Sequence, residues 1–485
     1  MNQLLLDTTT QEKLQIFRLM IQKREAHFST NSLMSSCTFS YTKIQTLVEE
    51  INQDMMALYN TPLLTNSGKI HFNSEVFVIG EYERFLLKQS IIYQFLLMTL
   101  IKPDHDIYKF CELYFISYSS LYRKLQPIKA FLSEYRITIN IAKMEIAGPE
   151  AFIRGMFFNL CWRINAGEDL LQLEQVRPTL LAFQQRMIPW LSNLSIRESK
   201  LLLVINQLRL QQCFVLDDLD LTGFYFPEPS PIIQRLVREW HPDPEIQEKE
   251  IHFFYFYLIY WPVYFEKEDL RLNFVRKNIE QNHLEELMLG VFDQFIGEVV
   301  HEETPQGKMQ LLKMNLYNTF LKVRVWNKVP IPAPHIFEER KISFSNGPHK
   351  DLYLAINDLL HQVHQLQGLQ WHKDCHKYAL DVCTSLLLPY VKREDRSDFV
   401  WVGIFPDPNY FLLHETLSYC NRLPFVKCQI IHEQNKHDFY DLMIFNIHQP
   451  DLPHFTETPH FQLNNGNFSH QDLLDLLEKC HQLKF

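Results

Sequence analysis

Hydrophobic residues recur with a helical period in two neighbouring runs between residues 106 and 136. The first run is spaced i, i+3, i+4 and i+7 and therefore lies on one face of a short helix: Ile107, Phe110, Cys111 and Tyr114. The pattern breaks at Phe115 and Ile116, and a second apolar face follows: Leu121, Leu125, Ile128 and Leu132. Ser117 is a favourable N-cap for the second helix. Two helices joined by a tight turn predict a helix-turn-helix, although an ordinary helical hairpin has the same pattern.

The polar positions of the second helix carry side chains that can bind phosphates or base edges of DNA. They are Ser117, Ser119, Ser120, Tyr122, Arg123 and Lys124. Residues 137–146 then alternate with period two, which predicts a β-hairpin. A hairpin directly after the second helix is typical of a winged helix-turn-helix, and Lys143 lies on this predicted wing.

A second copy of the pattern lies 77 residues upstream, where residues 40–44 correspond to residues 117–121. The copies share their apolar register, pairing Leu33, Met34, Cys37, Ile44, Val48, Ile51 and Met55 with Phe110, Cys111, Tyr114, Leu121, Leu125, Ile128 and Leu132. Residues 62–72 supply a turn-bearing tail with a predicted hairpin tip at residues 66–68. The candidate DNA contacts of this copy are Ser40, Tyr41, Thr42, Lys43, Gln45 and Lys69. We therefore predict winged helix-turn-helix units at residues 1–75 and 76–165.

Two further helices are predicted around these motifs. Residues 11–23 form a leading helix with apolar positions toward the first core, and Ser29 is a cap candidate for the next helix. Residues 81–100 are predicted to form one long apolar helix that opens the second unit.

The rest of the chain changes from helical to mixed periodicity. Residues 167–391 contain amphipathic segments separated by Pro and Gly breaks, which predicts all-helical modules at 166–275 and 276–392. Short apolar runs at 399–405, 425–431 and 441–445 then alternate with helical segments, predicting a small α/β domain at 395–485. The predicted fold class is mainly α and multidomain, with two winged units, two helical modules and this α/β domain.

Composition limits the partners of the chain. Its formal net charge is −10, yet residues 1–160 carry 16 basic and 15 acidic side chains, against 31 and 42 in the remainder. A near-neutral N-terminal part followed by an acidic remainder fits a DNA-binding protein that avoids unspecific binding.

The cysteines and the N-terminus indicate the compartment of the protein. Nine cysteines with no Cys-x-x-Cys pair indicate a reducing compartment. The chain begins without a signal-peptide pattern, and its most apolar run, 251–265, is too short to span a bilayer. We expect a cytoplasmic protein that does not bind membranes.

The second unit, residues 110–135 with the hairpin and the run from Gly148 to Arg154, resembles the Mga and AtxA family of Gram-positive transcription regulators. By domain order the resemblance extends over the whole chain. It implies two DNA-binding units, two modules similar to phosphotransferase-system regulation domains, and a C-terminal domain similar to enzyme IIB that supports a homodimer. It also implies that phosphocarrier proteins of that system are possible partners.

The resemblance directs attention to histidines in the helical modules. A regulation-domain helix reads Glu-x-x-Phe-x-x-x-His, and this chain has Glu250 and Phe253 but Tyr257 at the histidine position. His252 and His376 remain as phosphorylation candidates, one in each module, and solvated or core histidines are the alternative. An enzyme IIB domain needs a cysteine after its first strand, where this chain has residues 405–409, Phe-Pro-Asp-Pro-Asn. We therefore expect no phosphoryl transfer by this domain.

Sequence motifs of catalysis are missing: the chain has no P-loop, no Gly-x-Gly-x-x-Gly, no Gly-x-Ser-x-Gly and no His-Glu-x-x-His. We predict a non-enzymatic transcription regulator of double-stranded DNA, without cofactor, catalytic residues or metal. Because only Arg123 is placed to bind guanine bidentately, we expect low sequence specificity with readout of DNA shape. The alternatives are a protein-interaction scaffold, a phosphotransferase-system phosphocarrier and an RNA-binding antiterminator.

Overall fold

The protein is described from a computed structural model. The described residues are 2–23, 27–65, 68–73, 76–101, 106–184, 188, 190, 196–217, 219–300, 304–326, 331–332, 350–367, 373–391, 399–423, 425–432, 440–445, 458–463 and 470–484. The chain forms two compact units. Unit 1 comprises Met1–Ser133, Ile139–Glu145 and Leu463–Asp472, and unit 2 comprises Glu134–Thr138, Ile146–Gln462 and Leu473–Phe485.

Unit 1 is built almost entirely from helices. They are α1 (Asn2–Leu5), α2 (Thr8–Lys23), α3 (Thr30–Met34), α4 (Tyr41–Tyr59), α5 (Ile79–Gln89), α6 (Ile91–Ile101), α7 (Ile107–Leu113) and α8 (Tyr118–Ser133). The predicted leading helix is α2, which begins three residues earlier than expected. Ser29 caps α3 by accepting a hydrogen bond from the Ser32 backbone N–H, as predicted.

The helix pair α3 and α4 follows the predicted apolar register with one exception. Leu33 is buried together with the predicted inner face of α4, which consists of Ile44, Val48, Ile51 and Met55. Met34 is 43% exposed, so its assignment to the core was wrong. The reason is that α3 spans only five residues, and it ends with Leu33 facing inward and Met34 outward.

Two short strands flank this first helix pair, one before α3 and one after α4. Strands β1 (His27–Phe28) and β2 (Ile70–His71) pair antiparallel, with Phe28 opposite Ile70. Leu64 and Ile70 form a further antiparallel bridge, and the Thr65 N–H donates to the Lys69 carbonyl at 2.9 Å. The backbone on both sides of the predicted hairpin tip is therefore hydrogen-bonded, while two residues of the tip, Asn66 and Ser67, lie outside the described residues. Strand β1 was not anticipated.

The single helix predicted over residues 81–100 is wrong, because the chain bends by 61° between α5 and α6. Ser90 lies at the bend with an extended ψ of 127°. Its side-chain oxygen accepts hydrogen bonds from the backbone N–H groups of Ile92 (3.2 Å) and Tyr93 (3.5 Å). Serine here caps a new helix instead of continuing the old one. No single described helix is long and apolar enough to cross a membrane, and α5 and α6 meet those criteria only as this bent pair.

A β-hairpin follows α8, as the alternating pattern predicted. Strands β3 (Thr138–Asn140) and β4 (Glu145–Ala147) form a two-stranded sheet. Ile139 and Ile146 are buried, while Thr138 and Asn140 are exposed. Gly148 follows with a φ of +154°, and a Cβ there would lie 2.7 Å from the Arg136 carbonyl oxygen. Only glycine fits this close approach.

Unit 2 continues with a long helical region. Its helices are α9 (Glu150–Asn165), α10 (Glu168–Leu171), α11 (Arg177–Gln184), α12 (Ile196–Gln211), α13 (Pro231–Trp240), α14 (Pro244–Ile259), α15 (Leu272–Glu280), α16 (His283–Val299), α17 (Gln306–Val325), α18 (Lys350–Gln367) and α19 (Lys373–Val391). Several of them, including α12 and α17, are buried on most sides, which explains their weak amphipathic patterns.

A small parallel sheet lies near the C-terminus. Its strands are β5 (Val400–Ile404), β6 (Val426–Ile430), β7 (Leu442–Phe445) and β8 (His460–Gln462), with α20 (Tyr410–Cys420) after β5 and α21 (His470–Lys484) at the end. The strand order is β6-β5-β7-β8, and every pair is parallel. Three of these strands were predicted, and β8 was not. The mainly helical, multidomain class with a small C-terminal α/β region is confirmed at this level.

Candidate nucleic-acid interface

Helices α7 and α8 form a compact helix-turn-helix. Asp106 caps α7 by accepting a hydrogen bond from the Tyr108 backbone N–H at 2.9 Å. The predicted inner faces are buried, with Tyr114 half-buried at the end of α7. Its side-chain O–H donates to the Gln94 side chain at 2.8 Å, which fixes α7 on the preceding helix.

The turn between these helices is a Schellman motif without the usual glycine. The Ile116 N–H donates to the Cys111 carbonyl at 2.9 Å, and the Phe115 N–H donates to the Glu112 carbonyl at 3.2 Å. Phe115 has a φ of +50°, a left-handed conformation that costs a residue with a Cβ about 1–2 kcal/mol. The Phe115 ring is 98% exposed, so no packing within the described chain offsets this cost.

Ser117 begins the second helix as predicted, because its side-chain oxygen accepts a hydrogen bond from the Ser120 N–H at 3.2 Å. Most of the predicted DNA contacts are exposed: Ser40, Tyr41, Thr42, Gln45, Lys69, Ser117, Ser119, Tyr122, Arg123 and Lys143. Lys43, Ser120 and Lys124 are half-buried. Arg123 forms no ion pair with any residue that the structure describes, so its charge faces solvent.

Lys124 is held by the N-terminal segment of unit 1. Its Nζ lies 2.7 Å from an Asp7 carboxylate oxygen. Burial alone would raise the pKa of Asp7, but hydrogen bonds from Lys124 and Thr10 outweigh it and lower that pKa. The same carboxylate accepts the Thr10 N–H at 3.0 Å and thereby caps α2. Lys124 must leave this partner before it can bind a phosphate.

The first helix pair repeats this arrangement. Ser40 caps α4 by accepting a hydrogen bond from the Lys43 N–H, the counterpart of the bond between Ser117 and Ser120 77 residues later. Lys43 is paired with Glu12 at 2.7 Å. The exposed face of α4 thus lacks an unpaired cation among the described residues, whereas α8 retains Arg123.

Lys69 and Lys143 lie on the two hairpin turns. The Lys143 backbone N–H donates to the Asn140 side-chain oxygen at 3.1 Å, which fixes the turn, and the Lys143 side chain is exposed. Lys69 is also exposed, and its backbone carbonyl accepts the Thr65 N–H across the turn.

Sequence reasoning missed two aromatic residues beside these contacts. Tyr118 is 40% exposed and lies 6.5 Å from the Tyr122 ring, centroid to centroid. The repeat could have found it, because Tyr118 corresponds to Tyr41, which is 47% exposed. Phe115 was treated only as a break in the apolar pattern.

The helix after the hairpin, α9, carries a buried ion network within unit 2. The Arg154 side chain binds Glu150 at 2.8 Å and Glu250 at 2.5 and 2.9 Å. Arg209 donates to both carboxylate oxygens of Glu150, at 3.0 Å to the oxygen that Arg154 also binds and at 2.6 Å to the other, and it donates to the Ile146 carbonyl of β4 at 3.0 Å. Burial opposes the charge of Arg154, but the two glutamates outweigh it and raise its pKa. The network ties β4 and α9 to α12 and α14.

The two candidate phosphorylation sites are half-buried. The His252 ring stacks on Phe226 with centroids 4.7 Å apart, and burial lowers its pKa. A ring nitrogen of His376 lies 3.0 Å from the Asn357 side-chain oxygen, and burial together with His361 and His364 lowers its pKa. Both are therefore neutral near pH 7. The described residues contain no group of three His, Cys, Asp or Glu that could hold a metal ion, and all nine cysteines are free thiols.

The geometry of α7 and α8 defines a helix-turn-helix protein. Residues 76–161 match the family model of the Mga helix-turn-helix domain. This segment is therefore a helix-turn-helix domain of the Mga type, consistent with the Mga and AtxA regulators. The predicted resemblance of the second winged unit to that family is confirmed. A comparison with curated proteins found no match to the chain.

Proposed function

We propose that this protein is a DNA-binding transcription regulator in which α8 is the principal DNA-contact helix. The Mga-type domain at residues 76–161 is the observation that carries the proposal. Its second helix has a capped N-terminus and exposes Tyr118, Tyr122 and Arg123 on one side. This is the arrangement by which helix-turn-helix proteins enter a major groove.

The second winged unit, at residues 76–165, is proposed to supply more of the DNA-binding energy than the first winged unit, at residues 1–75. Arg123 and Lys143 are exposed cations on α8 and its hairpin, and cations that neutralise phosphates dominate DNA affinity. On α4 the one cation among the proposed contacts, Lys43, is already paired with Glu12. The first winged unit therefore contributes mainly hydroxyl, amide and tyrosine contacts, from Ser40, Tyr41, Thr42 and Gln45.

The chemistry of these proposed contacts leads us to expect low specificity for DNA sequence. Hydroxyl groups and tyrosines suit backbone positioning, and Arg123 is the one side chain among the proposed contacts with the fork that recognises guanine. Sequence-dependent curvature of DNA then contributes to the choice of site. The hairpins, with Lys69 and Lys143, would contact phosphates or the minor groove.

The remaining chain is proposed to regulate and assemble the DNA-binding part. Helical modules at residues 166–275 and 276–392 would receive a signal, with His252 or His376 as phosphate acceptors for phosphotransferase-system carriers. The α/β domain at residues 395–485, which contains the parallel sheet β6-β5-β7-β8, would form a homodimer in the cytoplasm. Removing residues 395–485 is expected to yield a monomer in sedimentation velocity.

The direct test is equilibrium binding of the full-length protein to straight and intrinsically curved duplexes of about 40 base pairs, followed by fluorescence anisotropy. Affinity that falls steeply with salt and favours curved duplexes supports the proposal in full. Binding to one sequence alone would retain the regulator and remove shape readout. An absence of binding at low salt would favour an interaction scaffold.

A further inference from the structure

An open cavity of about 800 Å³ lies inside unit 2 between helices α17, α19 and α20 and strand β6. Its volume falls within the range of about 300–1,000 Å³ that is typical of small-molecule sites. Strand β6 is at the edge of the parallel sheet, and all five of its residues line the cavity. The wall therefore combines a sheet edge with three packed helices.

The lining of this cavity is basic although the chain as a whole is acidic. Lys308, Arg422 and Lys427 line it, and no Asp or Glu is among the described lining residues. Two carboxylates outside the lining, Glu266 and Glu268, interact electrostatically with Lys308, and Glu266 lies 3.0 Å from the His432 ring. In a chain of net charge −10, this concentration of cations favours an anionic ligand.

His414 is a buried polar group in the cavity wall. It is only 5% exposed, and neither ring nitrogen has a hydrogen-bond partner among the described residues. Burial lowers its pKa to about 4, so near pH 7 the neutral ring offers one N–H donor and one acceptor. Buried polar groups without partners are rare and costly, so these nitrogens fit a ligand or a ligand-ordered water.

Aromatic rings lie beside the cations. The Lys427 ammonium lies 4.4 Å from the centroid of the Phe399 ring and 5.2 Å from that of Trp401. Phe265 and Tyr390 also line the cavity. Such rings provide stacking surfaces for a flat ligand, and the Lys427 ammonium beside them can bind charged oxygens.

We propose that this cavity binds a small organic anion that carries both phosphate and a planar ring, which is the chemistry of a nucleotide. Lys308, Arg422 and Lys427 would bind the phosphate oxygens, the aromatic rings would stack on the base, and His414 would hydrogen-bond the ligand. The site uses none of the proposed DNA-contact residues. It is an effector site whose existence does not depend on DNA binding.

The test uses full-length protein and mant-ATP as the fluorescent probe, titrated to about 1 mM and followed by anisotropy. We expect saturable binding that unlabelled ATP reverses, while adenosine and inorganic phosphate compete at least about tenfold less well. Lys427→Gln and Lys308→Gln should each weaken binding about tenfold, because each removes a charge-assisted contact. Both lysines are exposed, so circular dichroism should show an intact fold.

Lys277→Gln is the matched control. Lys277 is an exposed lysine of the same unit that also lies over an aromatic ring, 5.1 Å from the Tyr225 centroid, but it does not line the cavity. Its replacement should leave mant-ATP binding unchanged. The proposal is overturned by an absence of saturable binding, by wild-type affinity in Lys427→Gln, by equal weakening in Lys277→Gln, or by phosphate that competes as well as ATP.

Discussion

Arg154 on α9 and Glu250 on α14 form a buried two-point ion pair, with nitrogen–oxygen distances of 2.5 and 2.9 Å across 96 residues of sequence. Arg154 belongs to the Mga-type domain, and Glu250 is the glutamate of the motif that the resemblance places in a regulation module. The pair thus fastens the helix behind the hairpin to the helical region. The ion pair joins the last helix of the Mga-type segment to α14 inside unit 2.

Arg154→Met is expected to destabilise the protein by about 3–5 kcal/mol, because it removes the cation that binds the buried Glu250 and leaves Glu150 with Arg209 alone. Glu250→Gln should cost less, about 1–3 kcal/mol, since Arg154 keeps Glu150. Urea denaturation followed by circular dichroism measures both changes. The double variant should be no less stable than Arg154→Met alone.

An exposed pair provides the control for this network. Arg177 and Glu174 lie 3.4 Å apart with side chains 69% and 85% exposed. Arg177→Met should change stability by less than about 0.5 kcal/mol, because exposed ion pairs contribute little. Equal losses in the two arginine variants would show that the buried network has no special role.

Asp7→Asn is expected to tighten DNA binding about two- to fivefold, because it releases Lys124 from its ion pair. Asparagine remains a good N-cap, so α2 should keep its beginning at Thr8. Anisotropy titration of the full-length variant measures the change. Glu174→Gln removes the same charge and frees Arg177 elsewhere, so equal tightening in that variant would indicate a mere effect of net charge.

Phe115→Gly should raise the free energy of unfolding by about 1 kcal/mol, since glycine adopts a φ of +50° without steric cost. Phe115→Ala is the control, because it removes the ring but keeps the strained Cβ. Urea melts of both variants distinguish the two effects. A glycine variant no more stable than the alanine variant would show that the turn is unstrained.

Lys322 predicts a particular pH dependence of stability. Its ammonium is fully buried beneath the Trp261 and Tyr410 rings, at 5.5 and 5.0 Å, and has no hydrogen-bond partner among the described residues. Burial lowers its pKa to about 7. Between this pKa and the ordinary value of about 10.4, the unfolded chain binds more protons than the folded chain, so stability rises with pH there.

Lys322→Met should therefore stabilise the protein at pH 7 by about 1–3 kcal/mol, because it removes a buried charge. The advantage should shrink as pH rises toward 9, by at most about 1.4 kcal/mol per pH unit, as the wild-type lysine becomes neutral. Urea melts at several pH values measure the gap. A gap that is constant with pH would contradict the lowered pKa, and Lys277→Met, at an exposed site, should show no such trend.

Sequence alone predicted the elements whose information is local. The i, i+3, i+4 spacing, the serine cap at Ser117 and the alternation before Gly148 depend only on residues that are close together in the sequence. The 77-residue repeat added independent support, since Ser40 and Ser117 cap equivalent helices. Three of the four parallel strands of the C-terminal sheet were also predicted from short apolar runs, and β8 was not.

Other features depend on residues that are distant in sequence. Strand β1 has two residues and exists only because β2 pairs with it about forty residues later, and Glu250 meets Arg154 only in the folded chain. Ser90 broke a helix without a proline or glycine to mark the bend. The ion pairs of Lys43 and Lys124 were equally invisible, and they decide which predicted contacts carry an unpaired charge.

The most direct test of the central claim is the salt dependence of DNA affinity for the wild type and for Arg123→Ala combined with Lys143→Ala. Each phosphate contact contributes roughly 0.9 to the slope of log affinity against log salt, so the double variant should lose about two. Arg276→Ala, at an exposed arginine of unit 2, should keep the wild-type slope. An unchanged slope and affinity in the double variant would contradict the assignment of α8 and its hairpin as the DNA-contact elements.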